Sequence, residues 1–134
     1  MKHIFEIINR GCDWNGQLGH DGRNNQFTPK KVEALAEEVI VEVACGCIHT
    51  CAVTSTGSIF TWGESIATGH GEYISVHKPK LLQDLSSKGV ICVSASYHTA
   101  CVTKAGEVFT WGDGPYGELG HGDKKKPVRE KSRS

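Results

Sequence analysis

The sequence predicts an all-β fold, a partial β-propeller built from four-stranded antiparallel blades. The first observation is a repeat: residues 49–64 recur 49 positions later as residues 98–113, and nine of the sixteen positions are identical. The second is that the apolar segments of each copy are short, rich in β-branched and aromatic residues, and separated by glycine, which is typical of strands. The third is the spacing, since four short strands in roughly fifty residues are typical of a propeller blade.

Each copy of the repeat is predicted to fold as a β-meander, with a tight turn at Gly57 in the first copy and at Gly106 in the second. Segments that begin at Pro29 and Pro79 are predicted as outer strands, because proline is tolerated only at the start or edge of a strand. Residues 30–38 also have helical propensity, so a helical turn stays open there. The other predicted strands are residues 39–44, 49–54, 58–62, 90–95, 98–103 and 107–111.

The composition is that of a globular protein, with 38% hydrophobic and 22% charged residues. Fifteen basic and fifteen acidic residues cancel, so there is no electrostatic reason to expect nucleic acid or a membrane as the main partner. The charge is nevertheless uneven, because residues 124–134 carry a net charge of +5 and the first 123 residues carry −5. The basic tail leaves a contact with nucleic acid or chromatin open, beside the alternative of a solvated tail.

The cysteines and the apolar segments predict an intracellular protein, in the cytoplasm, the nucleus or both. No apolar run approaches the ~18 residues of a membrane-spanning helix, and Glu6 interrupts the apolar residues near the start, so no signal peptide is predicted. Six cysteines without a secretion signal indicate reduced thiols. Five of them lie in apolar, strand-like segments and are expected to pack as small hydrophobic residues: Cys45, Cys47, Cys51, Cys92 and Cys101.

Two motifs resemble ligand sites, and a structural role is predicted for both. Residues 112–117 satisfy the G-x-G-x-x-G pattern, but no helix is predicted after them to bind a pyrophosphate. Cys45, Cys47, His49 and Cys51 resemble a zinc set, but on a strand such side chains step about 6.6 Å apart and cannot converge on one metal. No other spacing indicates catalysis. We therefore predict no catalytic residue, no cofactor and no metal.

The recurring residues are predicted to maintain the repeat. His49 and His98 occupy the same position in the two copies. Each is expected to be a buried imidazole that ties its strand to the preceding loop, with a partner-facing or pH-responsive role as the alternative. His20, His70 and His121 follow loop glycines and receive the same interpretation. The residues assigned to repeat structure are Gly46, His49, Gly57, Trp62, Gly63, His98, Gly106, Trp111, Gly112 and Gly120.

The order Val-Ala-Cys-Gly, His-Thr, Thr-x-x-Gly, Phe-Thr-Trp-Gly and Gly-x-Leu-Gly-His-Gly resembles the repeat of the regulator of chromosome condensation family, over about residues 11–128. The resemblance implies a seven-bladed propeller in proteins that exchange nucleotide on a small nuclear GTPase, accompany ubiquitin-ligase domains or dock partners. Arg10 stands where the resemblance implies a tryptophan, so Trp14 is expected to be a loop residue. Residues 62–70 lack two residues and the Gly-x-Leu of the neighbouring copies.

The repeats cover about two and a half copies, and we expect that they cannot close a ring alone. Exposed end faces would then favour oligomerisation or joining a larger partner, which predicts a truncated or excised piece of marginal stability. The predicted divisions are a lead-in at residues 1–10, a first repeat at 11–62, a second at 63–111, a partial third at 112–128 and a basic tail at 129–134.

The leading functional hypothesis is a non-catalytic protein-protein interaction module. Its expected partners are other proteins, among them a small GTPase or the rest of a propeller. Guanine-nucleotide exchange is an alternative, but it would require a protruding loop, whereas the one irregularity is a shortening at residues 66–68. A substrate-docking role in a larger ubiquitin ligase or signalling protein is also open. The candidate partner-binding residues are the loop aromatics Trp14, Tyr73, Tyr97 and Tyr116.

Overall fold

The structure, a computed structural model, describes residues 6–122 and 131–133. Its regular structure is almost entirely β-strand, which confirms the predicted all-β fold. The strands pair antiparallel, in one two-stranded sheet and two four-stranded sheets. Residues 123–130 and 134, which hold most of the charge of the predicted tail, lie outside the described residues. In the part that is described, no helix has the length and apolar character to cross a membrane.

The strands in chain order are β1 (Ile8–Gly11), β2 (Gln26–Lys31), β3 (Ile40–Cys45), β4 (His49–Thr54), β5 (Ile59–Gly63), β6 (Val76–Leu81), β7 (Val90–Ala95), β8 (His98–Thr103), β9 (Val108–Gly112) and β10 (Lys131–Arg133). A four-residue helix, α1 (Ser65–Thr68), follows β5. Two 3-10 turns, Glu33–Leu35 and Gln83–Leu85, follow β2 and β6. The first of them is the helical turn that the sequence left open.

The two four-stranded sheets are successive propeller blades. The first blade has the order β3-β4-β5-β6 and the second has the order β7-β8-β9-β10, so each is a meander from an inner to an outer strand. Strands β1 and β2 pair in the manner of β5 and β6, and we call them the half-blade. The sheets therefore do not follow the predicted repeat divisions, because each takes its outer strand from residues after the tryptophan-ended stretch.

The predicted strands of the two repeats agree with the observed strands to within one residue at each end. The outer strands differ, because β2 and β6 begin three residues before Pro29 and Pro79. Both prolines lie at a sheet edge, where the pairing with β1 or β5 shifts register. A register shift on an edge strand tolerates the missing N–H, which explains why these strands continue through proline.

The hydrophobic core lies between the blades. The two tryptophans that end the repeats, Trp62 and Trp111, are fully buried. The core between the first and second blades contains Cys51, Val53, Ile59, Leu82, Leu85, Val90, Val93, Cys101, Phe109 and Trp111. The core between the half-blade and the first blade contains Ile7, Val32, Leu35, Ile40, Ala52 and Trp62.

Burial along the strands depends on how many neighbours each sheet has. All six residues of β4 are buried, because the half-blade covers one face of the first blade and the second blade covers the other. In β8 the buried positions alternate with half-buried ones, since the described residues cover only one face of the second blade. Successive side chains of a strand point to opposite faces of its sheet, so the difference in burial between β4 and β8 is caused by the neighbouring sheets and not by the local sequence.

The prediction that five cysteines pack in the interior is correct for Cys51 and Cys101 and wrong for Cys45, Cys47 and Cys92, which are exposed. Cys51 and Cys101 lie in β4 and β8, the strands that face the core between the blades. The exposed cysteines lie in the inner edge strands β3 and β7 and in the turn after β3. A strand at the edge of a sheet leaves part of its surface uncovered even when its sequence is apolar. The local sequence pattern does not distinguish an edge strand from a central one.

Candidate protein-interaction face

The loops at one end of the sheets form a common surface, which we call the loop face. His49 at the start of β4 pairs with Gly63 at the end of β5, so the β3–β4 turn and the loop after β5 lie at the same end. His98 and Gly112 repeat this pairing in the second blade. The loop after β1 joins them, because its Gln17 carbonyl accepts a hydrogen bond from Thr50 Oγ1 at 2.8 Å.

All four candidate aromatic residues lie on the loop face and are exposed. Trp14 is 72% exposed in the loop after β1 and Tyr73 is 77% exposed in the loop after β5. Tyr97 is 56% exposed in the β7–β8 turn and Tyr116 is 88% exposed in the loop after β9. The fold brings Tyr97 and Tyr116 together in one groove, whereas Trp14 and Tyr73 are not among the residues that line it.

A threonine and a histidine anchor the loop after β5 to its own sheet. Thr61 Oγ1 donates a hydrogen bond to the Thr68 carbonyl at 2.6 Å, and it lies 2.9 Å from His70 Nε2. Because the hydroxyl has one proton and uses it on the carbonyl, the His70 ring nitrogen is the donor to Thr61. Burial lowers the pKa of His70, which favours the neutral ring that this contact uses.

The same anchor recurs in the other loops. Thr110 Oγ1 donates to the Leu119 carbonyl at 2.7 Å and lies 2.9 Å from His121 Nε2. In the half-blade Asn9 replaces the threonine, and the buried Nε2 of His20 has no hydrogen-bond partner among the described residues. His70 and His121 therefore help to fix the two loops that carry Tyr73 and Tyr116.

The first and second blades are joined by three polar contacts around one carbonyl. The Ala67 carbonyl accepts from Trp111 Nε1 at 3.0 Å and from Thr99 Oγ1 at 3.2 Å. His49 Nε2 lies 2.6 Å from the same Thr99 Oγ1. Burial, with a smaller contribution from His98, lowers the pKa of His49 to about 4. The His49 contact therefore joins neighbouring blades, whereas the sequence predicted a contact with the preceding loop. His98 is half-buried and lines the groove that contains Tyr97 and Tyr116.

The junction of the half-blade with the first blade has fewer of these bonds. Thr50 donates to Gln17, as described, but Trp62 Nε1 is buried without a hydrogen-bond partner among the described residues. Glycine allows the close approach at both junctions: a Cβ on Gly19 would lie 2.8 Å from Trp62 Nε1, and one on Gly69 would lie 2.7 Å from Trp111 Nε1.

The remaining glycines assigned to repeat structure lie where chain segments meet or turn. A Cβ on Gly63, which has φ +119°, would lie 2.6 Å from the Cα of His49, and Gly112 is in the corresponding place beside His98. Gly46 lies against the Ser96 carbonyl of the second blade. Gly57, Gly106 and Gly120 also have positive φ, and a Cβ on Gly106 or Gly120 would meet nothing within 4 Å among the described residues.

The two motifs that resemble ligand sites do not form such sites in the described residues. Cys45 and Cys47 are exposed, whereas His49 and Cys51 are buried, so the four side chains do not converge. Within the described ranges, no three His, Cys, Asp or Glu side chains are grouped as metal ligands. Residues 112–117 lie at the end of β9 and in the following turns, and residues 118–122 after them are not helical.

Sequence reasoning missed several residues that the fold brings into use. Glu42 Oε2 accepts a hydrogen bond at 3.0 Å from the Val93 amide, on the inner strand of the next blade. The Ala67 carbonyl is a backbone group, so no side-chain pattern could have indicated its role. Asp113 and Glu118 line the tyrosine-containing groove. The recurrence of His-Thr at residues 49–50 and 98–99 was a visible signal for the contact between the blades.

The family model described as "Regulator of chromosome condensation (RCC1) repeat" matches residues 10–53 and 105–132. The human E3 ubiquitin-protein ligase HERC2 is 42% identical over 122 residues, which is 87% of this chain and 2% of the ligase. Human protein RCC2 is 42% identical over 69 residues, which is 47% of this chain and 13% of RCC2. The chain thus spans a small part of the curated relatives it matches.

Two solved structures share the fold. Human WBSCR16 is 25% identical, with a TM-score of 0.80, over 95% of this chain and 33% of that one. Prp20p from Saccharomyces cerevisiae is 21% identical, with a TM-score of 0.84, over 95% of this chain and 34% of that one.

Proposed function

The chain belongs to the regulator of chromosome condensation (RCC1) repeat family, and from this premise we propose that it is a non-catalytic protein-interaction module that binds partners through its loop face. The observation that carries the proposal is the placement of four exposed aromatic side chains, on four separate loops, at one end of the sheets. Tyrosine and tryptophan are enriched at protein interfaces, and they dominate the binding energy when a partner covers them.

The anchoring of the loops supports this role. Thr61 and Thr110 hold the loops after β5 and β9 through the Thr68 and Leu119 carbonyls. A side chain on an anchored loop loses less conformational freedom on binding than one on a free loop, so more of its contact energy appears as affinity. The location that we propose is intracellular, in keeping with the reduced thiols that the sequence predicts.

A docking role within a larger protein is the form of this function that the similarity to HERC2 favours. That relative is named as a ubiquitin-protein ligase, and the match reaches 87% of this chain but 2% of the ligase. We propose that this chain contributes partner binding and that any group transfer belongs to other domains.

Guanine-nucleotide exchange is the second candidate. The yeast relative Prp20p is described as binding Gsp1p and histones, which is a property of that protein. Exchange requires a loop that reaches into the nucleotide site of the GTPase, and the loop after β5 is instead folded back on its sheet by Thr61 and the short helix α1. Release of a fluorescent GDP analogue from a small GTPase is expected to be no faster with this chain present; an acceleration would favour exchange.

The interaction role is tested by capture from cell extract with matched variants. Replacing Trp14, Tyr73, Tyr97 and Tyr116 by alanine together should reduce recovery of the wild-type partners at least tenfold, because the main contact area is removed. The control is Phe27→Ala, which removes an 89% exposed aromatic residue that lies on strand β2 rather than on a loop. Circular dichroism should show that both variants keep the wild-type β signal. Equal recovery by the fourfold variant and the wild type would refute the role.

A further inference from the structure

The groove that holds Tyr97 and Tyr116 has a composition that suits one class of ligand. We call it the tyrosine groove; it has a volume of about 280 Å³ and is lined by Tyr97, His98, Asp113, Pro115, Tyr116 and Glu118. Two of these side chains are carboxylic acids, and none is lysine or arginine. Drug-sized ligands occupy pockets of roughly 300–1,000 Å³. The tyrosine groove is at the small end of that range, a size that suits one inserted side chain.

One backbone hydrogen bond joins the two sides of the tyrosine groove, and a second hydrogen bond shapes the loop after β9. The Asp113 amide donates to the Tyr97 carbonyl at 3.3 Å, which joins the loop after β9 to the β7–β8 turn. The Tyr116 amide donates to Glu118 Oε2 at 2.9 Å, which fixes the shape of the loop. A carboxylate offers about four acceptor positions, so Glu118 keeps capacity for a further donor.

The tyrosine groove is not a requirement of the repeat. Tyr97 directly precedes His98, and the corresponding residue before His49 in the first blade is Ile48. Residues 62–70 of the first blade are also two residues shorter than the matching residues 111–121, and they contain no counterpart of Tyr116. Two exposed tyrosines therefore stand on the second blade without a structural demand from the fold, which points to a binding role.

We propose that the tyrosine groove binds a single lysine or arginine side chain presented by a partner protein. The cation lies against the tyrosine rings, whose faces attract positive charge, and it donates charge-assisted hydrogen bonds to Asp113 and Glu118. The proposal rests on the proposed interaction function, because it names the chemistry of the partner at one position of the loop face.

Charge complementarity selects this occupant over others. Asp113 and Glu118 place negative charge at the tyrosine groove, and no basic side chain lines it, so a positively charged side chain is attracted to this site. An acidic or phosphorylated segment would bring like charge to Asp113 and Glu118. An apolar segment would remove the exposed carboxylate of Glu118 from water without offering it a positive charge, which is costly.

The probe is the pentapeptide acetyl-Gly-Ser-Lys-Ser-Gly-amide, titrated into the full chain and followed by NMR. We expect saturable shifts of the Tyr97 and Tyr116 ring protons and of the amides of residues 113, 114 and 116–118. The arginine version should behave alike. Versions with acetyl-lysine or glutamate in place of lysine should bind at least tenfold more weakly. Equal binding of lysine and acetyl-lysine, or shifts that map elsewhere on the chain, would overturn the proposal.

Matched variants separate a specific site from general attraction. Asp113→Asn with Glu118→Gln removes two charges at nearly constant shape and should weaken the lysine peptide at least tenfold. Glu37→Gln with Glu38→Gln removes the same charge at the opposite end of the sheets and should leave binding unchanged. An equal loss in both pairs would reduce the effect to non-specific attraction and contradict the site. Glu118→Gln alone alters one exposed side chain and should weaken binding even if the double variant does not fold.

The outcome is distinguishable from failure of the proposed function. If the fourfold aromatic variant loses the captured partners but the variant Asp113→Asn with Glu118→Gln keeps them, the interaction module stands and the basic-ligand assignment is wrong. If the fourfold variant keeps all partners, the interaction role itself fails. Shifts at the tyrosine groove that depend on protein concentration without peptide would indicate a second copy as the occupant, which also overturns the assignment.

Discussion

His49 lies fully buried between the first and second blades, where its Nε2 is 2.6 Å from Thr99 Oγ1. Its ring is neutral over the ordinary pH range, because burial lowers its pKa from 6.5 to about 4. A histidine that titrates at about 4 in the folded chain and near 6.5 in the unfolded chain binds more protons when unfolded. Protonation of His49 in acid therefore weakens the contact between the blades.

The free energy of unfolding is expected to fall as the pH drops from about 6.5 towards 4, and to be insensitive to His49 above about 6.5. A pKa shift of this size corresponds to about 3 kcal/mol across the window. Urea unfolding at a series of pH values measures it. The variant His49→Gln should be less stable at neutral pH and should show a shallower pH dependence. Identical slopes for wild type and His49→Gln would contradict the assignment.

Gly69 and Gly120 occupy the same place in two loops and have similar backbone geometry, with φ +81° and φ +69°. They differ in what they contact. A Cβ on Gly69 would lie 2.7 Å from Trp111 Nε1, whereas a Cβ on Gly120 would meet nothing within 4 Å among the described residues. Alanine substitutions at these two glycines therefore separate the cost of backbone strain, which both share, from the cost of disturbed packing between the blades, which only Gly69 has.

Gly120→Ala should cost roughly 1 kcal/mol, which is the penalty for a side chain in the left-handed region. Gly69→Ala carries the same penalty and also displaces the Trp111 ring from the Ala67 carbonyl, so we expect a loss of more than ~3 kcal/mol. Denaturant unfolding of the two variants measures the difference. Trp111 fluorescence should shift for Gly69→Ala only. Equal costs would show that the close approach at Gly69 does not constrain the structure.

The packing of the whole molecule is uneven along the chain. The first blade is covered on both faces, the second blade on one face by the described residues, and the half-blade contributes two strands. The junction between the first and second blades has three polar contacts around the Ala67 carbonyl, and the junction with the half-blade leaves Trp62 Nε1 unsatisfied among the described residues. In a repeat protein, stability follows these nearest-neighbour interfaces.

Native-state hydrogen exchange is expected to reflect this order. Amides of β4 should exchange slowest, those of β8 and β9 at intermediate rates, and those of β1 and β2 fastest, because local opening costs least where fewest interfaces are broken. Exchange followed by mass spectrometry at peptide resolution measures it. The same rate in the half-blade and the first blade would mean that the chain opens as one cooperative unit.

Local sequence patterns were enough to identify the type of element, the limits of the first three strands of each blade and the family. The glycine turns and the recurring His-Thr and Trp-Gly pairs are local features, because they lie within or next to the strands that they identify. The assignment of Trp62 and Trp111 to the repeat rests on the same local patterns.

The residues that meet across blades became apparent from the three-dimensional packing. The contact of His49 with Thr99 joins residues fifty positions apart, and the meeting of Tyr97 with Tyr116 depends on how a turn and a loop approach each other. Cys45 and Cys92 were predicted to be buried and are exposed, since a strand pattern does not reveal whether a neighbouring sheet covers it. These features arise from packing between sheets. That packing depends on strand register and on the neighbouring blade, and the residues of a single strand specify neither the register nor the neighbour.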